Sequence, residues 1–237
     1  MALNTKLGDP NQDSYVTVAQ ANEYFTNRSD TDEWDNLVAD SYKEHVLKEA
    51  ARMLEWFNYS KGKYYDSQGL ALPFDDHEVV TGNCATPAAI NSFINLSLKS
   101  DTYGEIPTDY WKYGSVHIVA GTPLNDIRLI SGSNSTTGSI TVSENFSTTC
   151  NATTQFIVFA PVAKSIRDAQ CEQAIFILQN TSLRMISRYR DHGTKYVRIG
   201  DAAVSYHEKE AGKLLMSPAA KKLLSAFIDK NYKVARA

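Results

Sequence analysis

Residues 56–74 read WFNYSKGKYYDSQGLALPF. Six of these nineteen residues are aromatic, and two lysines, two glycines and a proline interrupt them. Rings at this density do not suit a solvated linker, and the glycines and proline break a helix. The stretch predicts a structured loop that closes a core, with its glycines supplying the turns. A second use is open to the same residues. Tyr59, Tyr64 and Tyr65 interleave with Lys61 and Lys63, and aromatic faces beside cations can stack single-stranded bases. The competing use buries the rings under neighbouring elements and leaves the lysines in solvent. A formal net charge of −3 favours burial of the rings over base stacking.

Composition changes on the C-terminal side of this loop and again later. Residues 79–160 carry eight charged residues in 82, whereas the other 155 residues carry 43. Ser, Thr, Asn and Gly concentrate in the same middle stretch. Two changes of character along one chain predict one domain inserted into another. Residues 1–78 and 161–237 form the host domain, and residues 79–160 form the insertion.

The flanks read as helices. Thr17, with Gln20 three residues on, forms a capping box for TVAQANEYF. Asp40 is placed to cap SYKEHVLKEAARMLEWF, where Val46, Leu47, Ala50, Ala51, Leu54 and Phe57 share one stripe. Pro161 stands where a third helix begins, and VAKSIRDAQCEQAIFIL carries the stripe Ile166, Ala169, Ala174, Ile177 and Leu178. KYVRIGDAAVSYHE alternates around Gly200-Asp201, a hairpin signal. Ser217 followed by Pro218 predicts an N-cap and a first helical turn. The middle reads as strands: SVHIVAG, NDIRLISG, GSITVSE and TQFIVFA are short and rich in β-branched residues. SNSTTG predicts a hairpin loop between two of them, and INSFINLSL fits either a strand or a short helix. The expected fold class is α+β: a helix bundle plus a β-hairpin, interrupted by an inserted all-β small barrel or sandwich.

The chain offers little assembled chemistry. The slightly acidic balance argues against a generic polyanion binder. No apolar run approaches the ~18 residues of a membrane span, and MALNTKLGDPNQ lacks the apolar middle of a secretion signal. Cys84, Cys150 and Cys171 fit no zinc spacing, and their odd number suits a reducing compartment. Pairing of Cys84 with Cys150 stays open, and Cys171 reads as a core thiol. Asp75, Asp76, His77 and Glu78 are a candidate metal cluster, although adjacent acids in a turn are more often solvated. His45, His117, His192 and His207 show no ligand spacing. No H-E-x-x-H, P-loop, G-x-G-x-x-G or G-x-S-x-G motif occurs. The expectation is a protein that is not an enzyme and uses neither cofactor nor metal.

Four pieces in order carry a family resemblance. SYVTVAQANEYF, KGKYYDSQGLALPF with its Q-x-L-x-x-P pattern, VAKSIRDAQCEQAIFIL, and VRIGDAAVSY followed by LLMSPAAKKLLSAFI together resemble tailed-phage head-to-tail connector (adaptor) proteins. The same sequences are often labelled a DnaT-like single-stranded DNA-binding family. The likeness covers roughly residues 13–78 and 161–230. The middle departs from the compact family pattern and resembles a β-module of phage structural proteins. The resemblance implies a ring, commonly dodecameric, that docks beneath the portal vertex and offers a platform to the tail or to other neck proteins. Double-stranded DNA would pass through its lumen without sequence-specific contact, and no membrane would be involved. The implied location is the virion neck, with the host cytoplasm during assembly. Trp56, Gln68, Leu70 and Pro73 are then fingerprint positions with a structural role. The basic C-terminal residues Lys230, Tyr232, Lys233, Val234 and Arg236 would reach the portal. The alternatives are a DnaT-type single-stranded DNA-binding protein, or an enzyme such as a glycan hydrolase housed in the insertion. The latter needs paired carboxylates, and Asp101, Glu105, Asp109, Asp126 and Glu144 show no pairing in the sequence.

Overall fold

The computed structural model describes residues 3–26, 28–98, 107–180, 196–199, 202–205 and 216–229. The chain mixes helices and strands and divides into two compact units. One combines Met1–Ala2, Val16–Asn58 and Lys164–Ala237; the other combines Leu3–Tyr15 and Tyr59–Ala163. These divisions differ from the boundaries drawn from composition. The N-terminal stretch and residues 59–78 go with the strands, because their hydrogen bonds and ring contacts lie there. Charge density could not register this, since those residues are as charged as the helices.

In the helical unit, α1 (Val18–Thr26) follows Thr17, and the expected capping box is formed. The Thr17 N–H donates to Gln20 Oε1 at 2.9 Å, and the Gln20 N–H donates to Thr17 Oγ1 at 3.2 Å. A short α2 (Asp32–Asp35) was not expected; it places Trp34, fully buried, against Phe25 with ring centroids 4.8 Å apart. The long α3 (Asp40–Leu54) buries Leu47, Ala50, Ala51, Met53 and Leu54, close to the expected stripe. Asp40 does not cap it. Ala39 is the N-cap, in extended backbone, and Asp40 lies in the first turn, where its charge still suits the helix dipole.

Next in this unit, α4 (Lys164–Gln179) begins three residues after Pro161. The Ala160 N–H donates to the Glu78 carbonyl at 3.0 Å, which keeps the chain extended beyond the last strand of the β unit. This helix is buried on most sides, so its buried glutamines need partners. Gln170 Nε2 donates to the Leu47 carbonyl at 2.9 Å, and Gln173 Oε1 accepts from the Ser217 N–H at 2.8 Å. The second of these sits at the start of α5 (Pro218–Leu224), where Ser217 is the N-cap as expected and accepts from the Ala220 N–H. Tyr24 and Arg28 both engage the Glu172 carboxylate. Two further strands, Tyr196–Ile199 and Ala202–Ser205, pair antiparallel as the expected hairpin; Gly200 and Asp201 lie outside the described residues.

The β unit holds β1 (Val79–Asn83), β2 (Ala85–Ala89), β3 (Ser92–Ile94), β4 (Ser115–Ala120), β5 (Ile127–Asn134), β6 (Ser139–Val142) and β7 (Gln155–Phe159). They form one antiparallel sheet in the order β1-β7-β4-β5-β6-β3-β2. β5 pairs with β4 through Ile127–Leu129 and with β6 through Ile130–Asn134, with a register shift between Ile130 and Gly132. A bulge there bends the strand and turns the sheet. The two outermost strands, β1 and β2, are joined by Cys84 alone, so the sheet must curl toward itself. The result is a half-barrel, and of the two expected forms the sandwich is set aside. Phe93, Trp111, Val116, Ile130, Ile140, Phe156 and Val158 fill the interior. Cys84 and Cys150 are buried free thiols in the same core. Their mutual hydrogen bond, together with burial, pushes the Cys84 thiol upward. INSFINLSL resolves into both readings at once: β3, then a single 3-10 turn over Leu96–Leu98.

Candidate functional site

Within the β unit, the 59–78 loop is organised by one side chain. Gln68 is 3% exposed. Its Oε1 accepts from the Tyr65 N–H at 2.9 Å. Its Nε2 donates to the carbonyls of Leu70, Ala71 and Pro73 at 2.9, 3.1 and 3.0 Å. A glutamine can do this because it carries two N–H donors and an acceptor on a flexible stem, one hydrogen being shared between two of the carbonyls. Leu70 and Pro73 are buried beside it. The loop closes by Tyr64 N–H to Pro73 O at 2.9 Å and Asp75 N–H to Gly62 O at 3.0 Å. Gly69 passes so near the N-terminal stretch that an added Cβ would lie 2.4 Å from Gln12 O.

The rings of the loop are turned inward. Tyr64 meets Phe159 edge-on at 5.0 Å, and Tyr65 stacks on His117 at 5.8 Å. Tyr59 packs on Phe74 at 5.5 Å. Both lysines have partners. Lys61 pairs with Asp76, and Lys63 Nζ donates to the Gln68 carbonyl at 3.1 Å. A base-stacking surface needs exposed ring faces and unneutralised cations. In this fold the rings pack inward and Lys61 is paired with Asp76, while Lys63 keeps its charge and is tied to a backbone carbonyl.

Asp75, Asp76, His77 and Glu78 diverge rather than converge. The Lys61 hydrogen bond holds the Asp76 carboxyl below its usual range. His77 Nε2 donates to the Ala160 carbonyl at 2.8 Å, and burial lowers the ring's affinity for a proton. Glu78 accepts from the Tyr110 hydroxyl at 2.6 Å, which with burial pushes that phenol up to about 12. Among the described residues, no group of three His, Cys, Asp or Glu side chains is placed to hold a metal ion. His117 is 6% exposed and donates from Nε2 to the Leu7 carbonyl at 2.6 Å; the Leu7 N–H donates to Ser115 Oγ at 2.7 Å. Burial lowers its proton affinity too. Cys171 sits in the α4 core, where burial pushes its thiol up to about 12.

Trp56, the fourth fingerprint residue, lies in the helical unit and is 63% exposed. It forms one wall of a groove of about 490 Å³ with Phe57 and Asn58, opposite Lys221, Ser225, Ile228 and Asp229. The Asp229 N–H donates to the Asn58 carbonyl at 2.9 Å and closes one end. Sequence reasoning did not anticipate this groove, because its walls are 160 residues apart and neither carries a motif. The proposed docking residues Lys230, Tyr232, Lys233, Val234 and Arg236 lie outside the described residues.

A family model described as "Putative DnaT-like ssDNA binding protein" matches residues 1–94. The matched stretch takes in α1 to α3, the Gln68 loop and β1 to β3. No curated protein matches the chain. Among the described residues, no helix is long and apolar enough to cross a membrane.

Proposed function

We propose that this chain is a structural virion neck protein: a head-to-tail adaptor that assembles with its own copies into a ring under the portal vertex and offers the tail a platform. The observation that carries the reading is the use made of the Gln68 loop. Its aromatic and cationic side chains are committed to internal packing and pairing, so the most distinctive stretch of the chain works as a structural clasp. Large apolar side chains are instead exposed elsewhere: Val38, Tyr42 and Trp56 in the helical unit, and Ile90, Leu96, Val119 and Leu124 in the β unit. Such side chains suit a protein whose work is assembly. Its partners are its own copies, the portal, and tail or other neck proteins, with double-stranded DNA passing through the lumen. Residues 230–237 supply the portal contact, through Lys230, Tyr232, Lys233, Val234 and Arg236. The test is electron microscopy of the purified protein and of assembled particles. Rings, and loss of portal attachment when residues 230–237 are removed, are expected; particles that complete heads and join tails without this protein overturn the reading.

The second reading is a single-stranded DNA-binding protein, and the family description over residues 1–94 favours it. It requires saturable binding of an unstructured oligonucleotide that weakens steeply with salt. Fluorescence anisotropy at two salt concentrations decides between the two.

A further inference from the structure

Two unlike surfaces stand at opposite ends of α3. At its N-terminal end Val38 is 97% exposed and Tyr42 is 63% exposed. At its C-terminal end Trp56, 63% exposed, opens the groove shared with Phe57, Lys221 and Ile228. Tyr42 and Trp56 are fourteen positions apart, most of them in α3, which is roughly 20 Å at the helical rise. A groove of about 490 Å³ has room for an aromatic ring and a small aliphatic group.

The charges at the two ends are opposite. Residues 29–42 hold five acids, Asp30, Asp32, Glu33, Asp35 and Asp40, and no base. Asp30 is engaged by Arg28, and Lys43, next to Tyr42, lies over the Trp34 ring, while Asp32, Glu33, Asp35 and Asp40 are exposed and keep this end acidic. Across the groove, residues 216–228 hold Lys221 and Lys222 and no acid, and both lysines are exposed. Arg52 adds a third exposed cation on the α3 side. In the groove lining Lys221 and Asp229 balance, and the exposed Lys222 and Arg52 against Glu55 leave the surrounding edge basic by one charge. Neither end suits a second copy of itself, since acid would face acid or base would face base. Each suits the other, and opposite patches on one molecule generate a head-to-tail contact.

We infer that the Val38–Tyr42 end of one copy seats in the Trp56 groove of the next, an apolar knob with an acidic rim in an apolar groove with a basic edge. The inference rests on the reading of the chain as self-assembling and names the surfaces that do it. The test uses sedimentation velocity on the full chain at low salt, with thermal melts as a check on folding. Lys221→Glu with Lys222→Glu, or Asp35→Lys with Asp40→Lys, is expected to weaken self-association at least tenfold, with only a small fall in melting temperature from the reversed helix-end charges and the lost Thr31–Asp35 hydrogen bond. Mixing the two variants restores it, because each then offers the other a complementary end. Trp56→Ala weakens association in the same way, and its large exposure keeps the fold intact. If the wild type assembles and both charge-reversed variants assemble equally well, this contact is wrong while the neck reading stands. If the wild type stays monomeric at every concentration, the contact is wrong too, and the neck reading rests on imaging of assembled particles. If the mixture fails to restore association, the pairing of these two ends is wrong even though each end matters.

Discussion

The Gln68 side-chain nitrogen lies 3.0 Å from the Pro73 carbonyl oxygen, and that bond spans the turn that gives the loop its shape. The same amide also serves Leu70 and Ala71, while its oxygen holds the Tyr65 N–H. Gln68→Ala removes every one of these contacts; the Pro73 carbonyl keeps the Tyr64 N–H, but the Leu70 and Ala71 carbonyls and the Tyr65 N–H lose this partner. Each buried group left unsatisfied costs about 1–3 kcal/mol. A total loss near 3 kcal/mol is expected by urea denaturation. Gln68→Glu should cost a similar amount, because a carboxylate cannot donate to three carbonyls. A loss below roughly 1 kcal/mol for both variants would mean that the loop holds its shape without the clasp.

Gly69, beside the clasp, is expected to be intolerant of any side chain. An added Cβ would lie 2.4 Å from Gln12 O and 2.9 Å from Pro10 O. Both are backbone atoms, so no rotamer can relieve the clash. Gly69→Ala should detach the N-terminal stretch, seen as faster amide exchange at the Gly69 N–H, which donates to Asp9 O at 3.0 Å. Unchanged exchange there would show that the two segments stay joined and that the clash is relieved by a small backbone shift.

In the helical unit, Leu54 is fully buried on α3, and Leu54→Ala should cost ~2–5 kcal/mol. The exposed Arg52 on the same helix should tolerate alanine within roughly 0.5 kcal/mol. Lys43 makes a poorer control than its position off the stripe suggests. Its ammonium lies 5.1 Å from the Trp34 ring and donates to Asn22 Oδ1 at 3.1 Å. Equal melting shifts for the Leu54 and Arg52 variants would put the helix in the wrong rotational phase.

What the sequence made legible was local. Capping by Thr17 and Ser217, the α3 stripe and strands β4 to β7 all follow from residues within one or two turns of each other. What it concealed depends on partners far along the chain. β2 reads ATPAA, with a proline and three alanines, so no β-propensity signal marks it; its place at the sheet edge is where proline can be accommodated. α2 is only four residues long, and its reason for being is the burial of Trp34 against a ring nine positions earlier. The stretch 56–74 was expected to close a core, and the rings of Tyr64 and Tyr65 settle on Phe159 and His117, more than fifty residues downstream. Ring density showed that the loop would be buried but held no information about which surface would bury it. The Trp56 groove was invisible for the same reason.

The last prediction concerns pH. His77 and His117 both lie in the β unit, and burial depresses the proton affinity of both. Each ring donates from Nε2 to a backbone carbonyl, Ala160 and Leu7 respectively, so the neutral ring is the form the fold holds. In the unfolded chain an imidazole takes up its proton near pH 6.5. In the folded chain it does so only at lower pH. As pH falls below about 6.5, the unfolded state therefore binds more protons than the native state, and stability declines until the folded pKa is reached. The stabilising effect is fully present above pH 6.5 and is lost on acidification, at a limiting slope of about 1.4 kcal/mol per pH unit for each ring. Urea melts between pH 7.5 and 5 should show this decline before most carboxylates begin to titrate. His117→Gln keeps a side-chain N–H for the Leu7 carbonyl but has no proton to gain. It should lower stability at pH 7.5 through imperfect packing on Tyr65, yet flatten the decline by up to half. His77→Gln should flatten it as well. Other histidines in the chain contribute equally to wild type and variants, so the difference in slope is the quantity to read. Slopes identical in wild type and both variants would show that neither ring resists protonation in the fold.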